Sequence, residues 1–214
     1  MFGEVWPGPS GGRPSQRGAL TTIGIFLFPG AEELDFAGPW EVLRAWERIA
    51  PDDGQHVLLL GREEGTISCA MGMRVTPELT WATAPPLDVL VYPGGQGTVD
   101  QLGDEVIRGW VRAVAGAGTL MTSVCTGSLV FADAGLLDGR PATTHWASLD
   151  HLAGLGRDIE VRPDDRFVDD GDIITSAGVS AGIDMALHLV GRLTTADRAR
   201  QVRRFIQYDP APPV

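Results

Sequence analysis

Four short apolar runs constrain this chain more than any other feature. Residues 23–28 (Ile-Gly-Ile-Phe-Leu-Phe), 57–60 (Val-Leu-Leu-Leu), 88–92 (Asp-Val-Leu-Val-Tyr) and 119–124 (Thr-Leu-Met-Thr-Ser-Val) lack the apolar–polar alternation of a half-wet strand. Strands that read this way are buried on both faces, and parallel sheets bury their strands in that manner. The first and third runs stop at Pro29-Gly30 and Pro93-Gly94-Gly95, where the backbone must turn.

Between the runs the period changes to that of a helix. Over residues 35–50, Leu43, Trp46 and Ile49 share one stripe with Glu41, Arg44 and Glu47 opposite, and Pro39 is placed near the first turn. Further helices are predicted at 104–115, 127–134, 146–154, 179–192 and 195–207. Residues 66–81 read as a hairpin excursion, and shorter strands are expected near 142–144, 159–162, 166–169 and 172–175. Strands alternating with helices define an α/β fold: a single domain over residues 21–214, a mostly parallel sheet sandwiched by helices in the flavodoxin-like or amidotransferase-like manner. Residues 1–20, rich in Gly, Pro and Ser, are expected to form a disordered extension.

Composition narrows the function. The chain is 43% hydrophobic and 21% charged, as soluble globular proteins are, and its net charge of −11 lacks the basic footprint of a nucleic-acid binder. All of its basic residues are arginine, so lysine Schiff-base chemistry is excluded. No apolar run approaches the roughly 18 residues of a membrane span, and the N-terminus lacks the pattern of a signal peptide. Two cysteines, Cys69 and Cys125, are too few for a secreted disulfide scaffold, so both are expected free, in the cytoplasm. No His/Cys/Asp set has metal-ligand spacing, and neither GxGxxG nor a Walker motif occurs. No metal and no cofactor are therefore expected.

Ligands of open α/β sheets bind beyond the carboxyl ends of the strands. Three segments meet there: 32–35 (Glu-Glu-Leu-Asp), 93–97 (Pro-Gly-Gly-Gln-Gly) and 125–127 (Cys-Thr-Gly). Cys125 falls where a strand turns into a helix, the arrangement of a nucleophile elbow. The helix N-terminus is expected to favour its thiolate, and the thiolate is the nucleophile. Gly94, Gly95 and Thr126 can offer backbone N–H groups to a developing negative charge. Asp35 is the candidate proton carrier, although an aspartate that opens a helix is equally a plain N-cap. His145 is the one histidine near the site. Cys69 reads as structural, Glu32 and Glu33 as solvated, His188 as a satisfied core histidine, and Trp146, Trp40 and Phe36 as core aromatics.

From about residue 22 to 213 the sequence resembles the ThiJ/PfpI superfamily, whose fold is like that of class I glutamine amidotransferases. The likeness is carried by 27–30 (Leu-Phe-Pro-Gly), 34–35 (Leu-Asp), 93–95 (Pro-Gly-Gly), 122–129 (Thr-Ser-Val-Cys-Thr-Gly-Ser-Leu), 142–146 (Ala-Thr-Thr-His-Trp) and 208–213 (Tyr-Asp-Pro-Ala-Pro-Pro). Within the superfamily it is nearest the branch that hydrates isonitriles. That resemblance implies a homodimer acting on a small molecule, with Cys125 forming a covalent thioimidate, Asp35 moving the proton and Thr126 orienting the intermediate or the water. The peptidase-like branch places His directly after the cysteine, where Thr126 stands here, which argues against proteolysis. Two other readings stay open: a ligand or redox sensor related to AraC-type regulators, and a glyoxalase-like aldehyde hydratase using Cys125 and His145.

Overall fold

The structure is a computed structural model, and it describes residues 20–210. The extension expected over residues 1–20 lies, but for Leu20, outside the described residues. The strands are β1 (Thr21–Leu27), β2 (Gln55–Gly61), β3 (Ile67–Ser68), β4 (Arg74–Val75), β5 (Leu79–Thr80), β6 (Val89–Tyr92), β7 (Leu120–Val124), β8 (Pro141–Ala142), β9 (Glu160–Val161), β10 (Phe167–Asp169) and β11 (Ile173–Ser176). The helices are α1 (Glu33–Ile49), α2 (Glu105–Gly116), α3 (Gly127–Asp133), α4 (Leu149–Leu155), α5 (Ala181–Leu193) and α6 (Ala196–Phe205).

Seven strands form the main sheet in the order β10-β11-β7-β6-β1-β2-β5, parallel except where β10 pairs antiparallel with β11. The central strands β1 and β6 are apolar because both their faces are covered: Ile23, Ile25, Phe26, Leu27, Val89, Leu90, Val91 and Tyr92 are all buried. One face carries α1, α5 and α6; α2, α3 and α4 lie on the other, where α3 touches both neighbours. The predicted hairpin is present as the antiparallel β3–β4 pair, while β5 leaves it to extend the main sheet. The strand expected near 142–144 is only two residues long and pairs with β9 in a separate small sheet.

The strand order fixes where a site can form. From β1 the sheet grows through β2 in one direction and through β6 and β7 in the other. The connections at the carboxyl ends of β1 and β6 therefore leave toward opposite faces and open a crevice between them, the usual ligand position in such sheets. Cys125 stands immediately after β7, at the edge of that crevice.

Candidate active site

Cys125 has φ +57°, a left-handed conformation unusual for a residue with a side chain. The strained turn lifts the side chain out of the sheet plane at the start of α3 and is held by its backbone partners. The Cys125 N–H donates to the carbonyls of Ser176 and Ala177, both at 3.2 Å. Its carbonyl accepts two hydroxyls, Ser128 Oγ at 3.1 Å and Thr144 Oγ1 at 2.9 Å. The cysteine is 6% exposed.

Asp35 faces it from α1. The helix begins at Glu33 with Glu32 as its N-cap, so Asp35 is not the cap that its sequence position suggested, and Pro39 falls in the second turn rather than the first. Asp35 instead occupies the buried stripe that continues through Pro39, Val42 and Trp46, and it is fully buried. Its Oδ2 accepts the Gly94 N–H at 2.9 Å, while Oδ1 has no conventional hydrogen-bond partner. The carboxyl lies against the Cys125 thiol, and each perturbs the other. Burial, helped by the charge of Glu32, raises Asp35 to about 7 even though the Gly94 N–H favours its ionised form. Burial and the charge of Asp35 push the Cys125 thiol up to about 12, against the opposing pull of the Thr126 and Val179 amides. The helix terminus therefore does not lower the thiol as the sequence led us to expect. Desolvation and the neighbouring carboxylate outweigh it, because no cation acts on either group to offset them. The thiol thus stays protonated through neutral pH while the carboxyl exchanges its proton near 7, so the pair holds two protons below that point and one above it.

The expected oxyanion donors need a correction. The Gly94 N–H is spent on Asp35, and the Gly95 N–H on Thr126 Oγ1 at 3.0 Å. Gly94 is obligatory for a different reason: a Cβ there would come within 2.4 Å of Thr126 Oγ1 and 3.0 Å of Asp35 Oδ2. The loop after β6 is thus a brace that presses Asp35 and Thr126 into place. The amides that act on the sulfur are those of Thr126 and Val179. The Thr126 hydroxyl also pairs with buried Thr98 Oγ1 at 2.9 Å, so its orientation is fixed twice.

His145 caps the short turn Trp146–Ser148, its Nδ1 accepting the Ala147 N–H at 3.3 Å. Its ring covers Gly178, where a Cβ would lie 2.3 Å from Cδ2. It therefore borders the site through Gly178 and Val179. Trp146 is 78% exposed and contacts the His145 ring, so it is no core residue; Phe36 is buried as expected and Trp40 half-buried. Glu33 is more than a solvated charge: its carboxylate accepts the Met71 and Met73 N–H groups and latches the β3–β4 turn over the loop that leads to Asp35.

Thr98, Thr144 and Val179 escaped the sequence reading. Val179 has φ +50°, a marked outlier for a β-branched residue and a store of local strain beside the sulfur. Nothing in its residue type signals that. Thr144 was visible only as part of the 142–146 stretch.

An α/β fold with a cysteine on a strained strand-to-helix turn and a buried carboxyl against it defines the class of this protein. The DJ-1/PfpI family matches residues 21–192, and the chain belongs to it. It is 41% identical over 191 residues to an isonitrile hydratase of Pseudomonas putida, covering 89% of this chain and 80% of that protein. It is 32% identical over 179 residues to the HTH-type transcriptional regulator CdhR of Pseudomonas aeruginosa, covering 83% of this chain but only 52% of the regulator. A crystal structure of a ThiJ/PfpI family protein from Pseudomonas syringae superposes with a TM-score of 0.82 at 30% identity, over 98% of this chain and 84% of that one. Among the described residues no helix is long and apolar enough to cross a membrane.

Proposed function

We propose that this protein hydrates isonitriles to N-substituted formamides, with Cys125 as nucleophile. The observation that carries the reading is the uncompensated Asp35 carboxyl against the Cys125 thiol; the similarity to an isonitrile hydratase supports it. The terminal carbon of an isonitrile is attacked by a soft sulfur once a proton reaches that carbon. The shared proton of the pair supplies both needs: as it moves through Asp35 to the carbon, the sulfur gains nucleophilic character. One S–H and one isonitrile become a thioimidate, R–N=CH–S–Cys125. Asp35, now ionised, takes a proton from water, whose oxygen adds to the same carbon. Asp35 passes that proton to the nitrogen, and as the C–S bond of the adduct breaks the adduct's hydroxyl proton moves through Asp35 to sulfur, releasing R–NH–CHO. The Thr126 amide and hydroxyl, held by Gly95 and Thr98, orient the intermediate, and exposed Trp146 offers an apolar wall for the substituent R.

Incubation of the purified protein with cyclohexyl isocyanide is expected to yield N-cyclohexylformamide, and Cys125→Ala to abolish it. No product from the wild type, or undiminished product from the variant, overturns the reading. A sensor related to the ligand-binding half of a regulator would bind without turnover, and a glyoxalase-like enzyme would consume methylglyoxal in a parallel assay.

A further inference from the structure

The buried layer under the elbow has a feature that the proposed chemistry leaves unused. The Cys125 carbonyl points away from the crevice and is held by two hydroxyls of different origin. Ser128 belongs to the same turn and would accompany any strand-to-helix bend. Thr144 lies 19 residues further on, is 1% exposed, and brings its hydroxyl to that carbonyl at 2.9 Å. Its own segment is tied down separately, because the Thr143 N–H donates to Thr175 Oγ1 on β11 at 2.9 Å.

A peptide unit is planar and trans, so the C=O of one residue and the N–H of the next point in opposite directions. The hydroxyls that fix the Cys125 carbonyl therefore fix the Thr126 N–H as well, on the side of the crevice. At an unstrained residue the neighbouring ladder would do this. At φ +57° the peptide has left the ladder, and the two hydroxyls hold its carbonyl against rotation.

We infer that Thr144 is a positioning residue for the site: its buried hydroxyl, with that of Ser128, locks the Cys125–Thr126 peptide so that the Thr126 N–H stays aimed at the sulfur and at charge developing beside it. The inference rests on the proposed role of Cys125 as nucleophile, but not on the identity of its substrate.

The test follows alkylation of Cys125 by iodoacetamide across pH, read by peptide mass spectrometry so that Cys69 is counted separately. Thr144→Val is expected to slow Cys125 alkylation about tenfold at neutral pH and to move its pH profile upward, the size expected for one lost hydrogen bond to a charge-stabilising array. Thr144→Ser keeps the hydroxyl and is expected to restore the wild-type profile. In the hydration assay Thr144→Val should lower kcat about tenfold and leave KM unchanged. Should valine not fold, Thr144→Ala takes its place with the same expectation. An unchanged alkylation profile in the valine or alanine variant overturns the inference, as does a serine variant as defective as valine. A wild-type protein that alkylates normally but hydrates no isonitrile would instead refute the proposed substrate and leave the inference standing or falling on the alkylation profiles.

Discussion

Two aspartates in this molecule, one buried and one exposed at a strand end, live by opposite rules. Asp169, at the end of β10, accepts His188 Nε2 at 2.7 Å, Arg192 Nη1 at 2.6 Å and the Gly171 N–H at 3.0 Å. Burial alone would raise it, yet those hydrogen bonds and the Arg192 charge hold it below the ordinary carboxylate range. Asp35 is fully buried, and the amides of Gly94 and Val179 and the Cys125 thiol, with no cation among them, do not offset its desolvation, so it is raised to about 7. A carboxyl whose partners outweigh its desolvation is a fastener. One left uncompensated costs the fold stability, and it persists where a proton must be exchanged near neutral pH.

The largest test of this contrast is Asp35→Asn. The amide keeps an oxygen for the Gly94 N–H but cannot carry the proton, so hydration should fall by about 10²–10⁴. Stability should move the other way. The native pKa of Asp35 lies above its unfolded value, so between about 4 and about 7 the native state holds the extra proton and wild-type stability falls as pH rises. At pH 8 the variant should therefore be more stable than the wild type by an amount on the order of 2–4 kcal/mol for a shift of this size, seen as a higher Tm. At pH 4 the difference should vanish. A variant less stable than the wild type at pH 8 would break the contrast.

Asp169→Asn sharpens the same comparison from the other side. It should leave hydration unchanged and cost roughly 1 kcal/mol at pH 7, because His188 and Arg192 lose a charged acceptor while solvent at this exposed strand end screens part of the loss. Asp169 has a depressed native pKa, so its contribution is present above the unfolded value of about 3.9 and is lost as pH falls through the native one. Thermal melts at pH 7 and pH 3 should show the penalty only at the higher pH. The smallest effect belongs to the exposed Arg200–Asp197 pair on α6, where Arg200→Ala should shift Tm by less than about 1 °C because solvent screens both partners.

The unalternating apolar runs and the helical stripes between them carried the α/β class, the parallel sheet and the convergence of the 32–35, 93–97 and 125–127 segments. Those features depend on burial and periodicity, which are local properties of a chain. Cys125 was legible for the same reason, since a strand that ends in Cys-Thr-Gly before a helix announces a sharp turn. Asp35 was only half legible. Its residue type fits a helix cap as well as a proton carrier, and only its burial on the stripe shared with Val42 and Trp46 separates the two.

What the tertiary structure decided is the assignment of donors and of charge. That the amides of Gly94 and Gly95 serve Asp35 and Thr126, that Thr144 anchors the Cys125 carbonyl, and that a strained Val179 turns its amide toward the sulfur depend on pairings between residues 19 to 59 positions apart. The protonation of the pair was likewise beyond the sequence. A helix terminus and a carboxylate pull a thiol in opposite directions, and the outcome is set by how much water the packed elements exclude, a quantity no stretch of residues carries by itself.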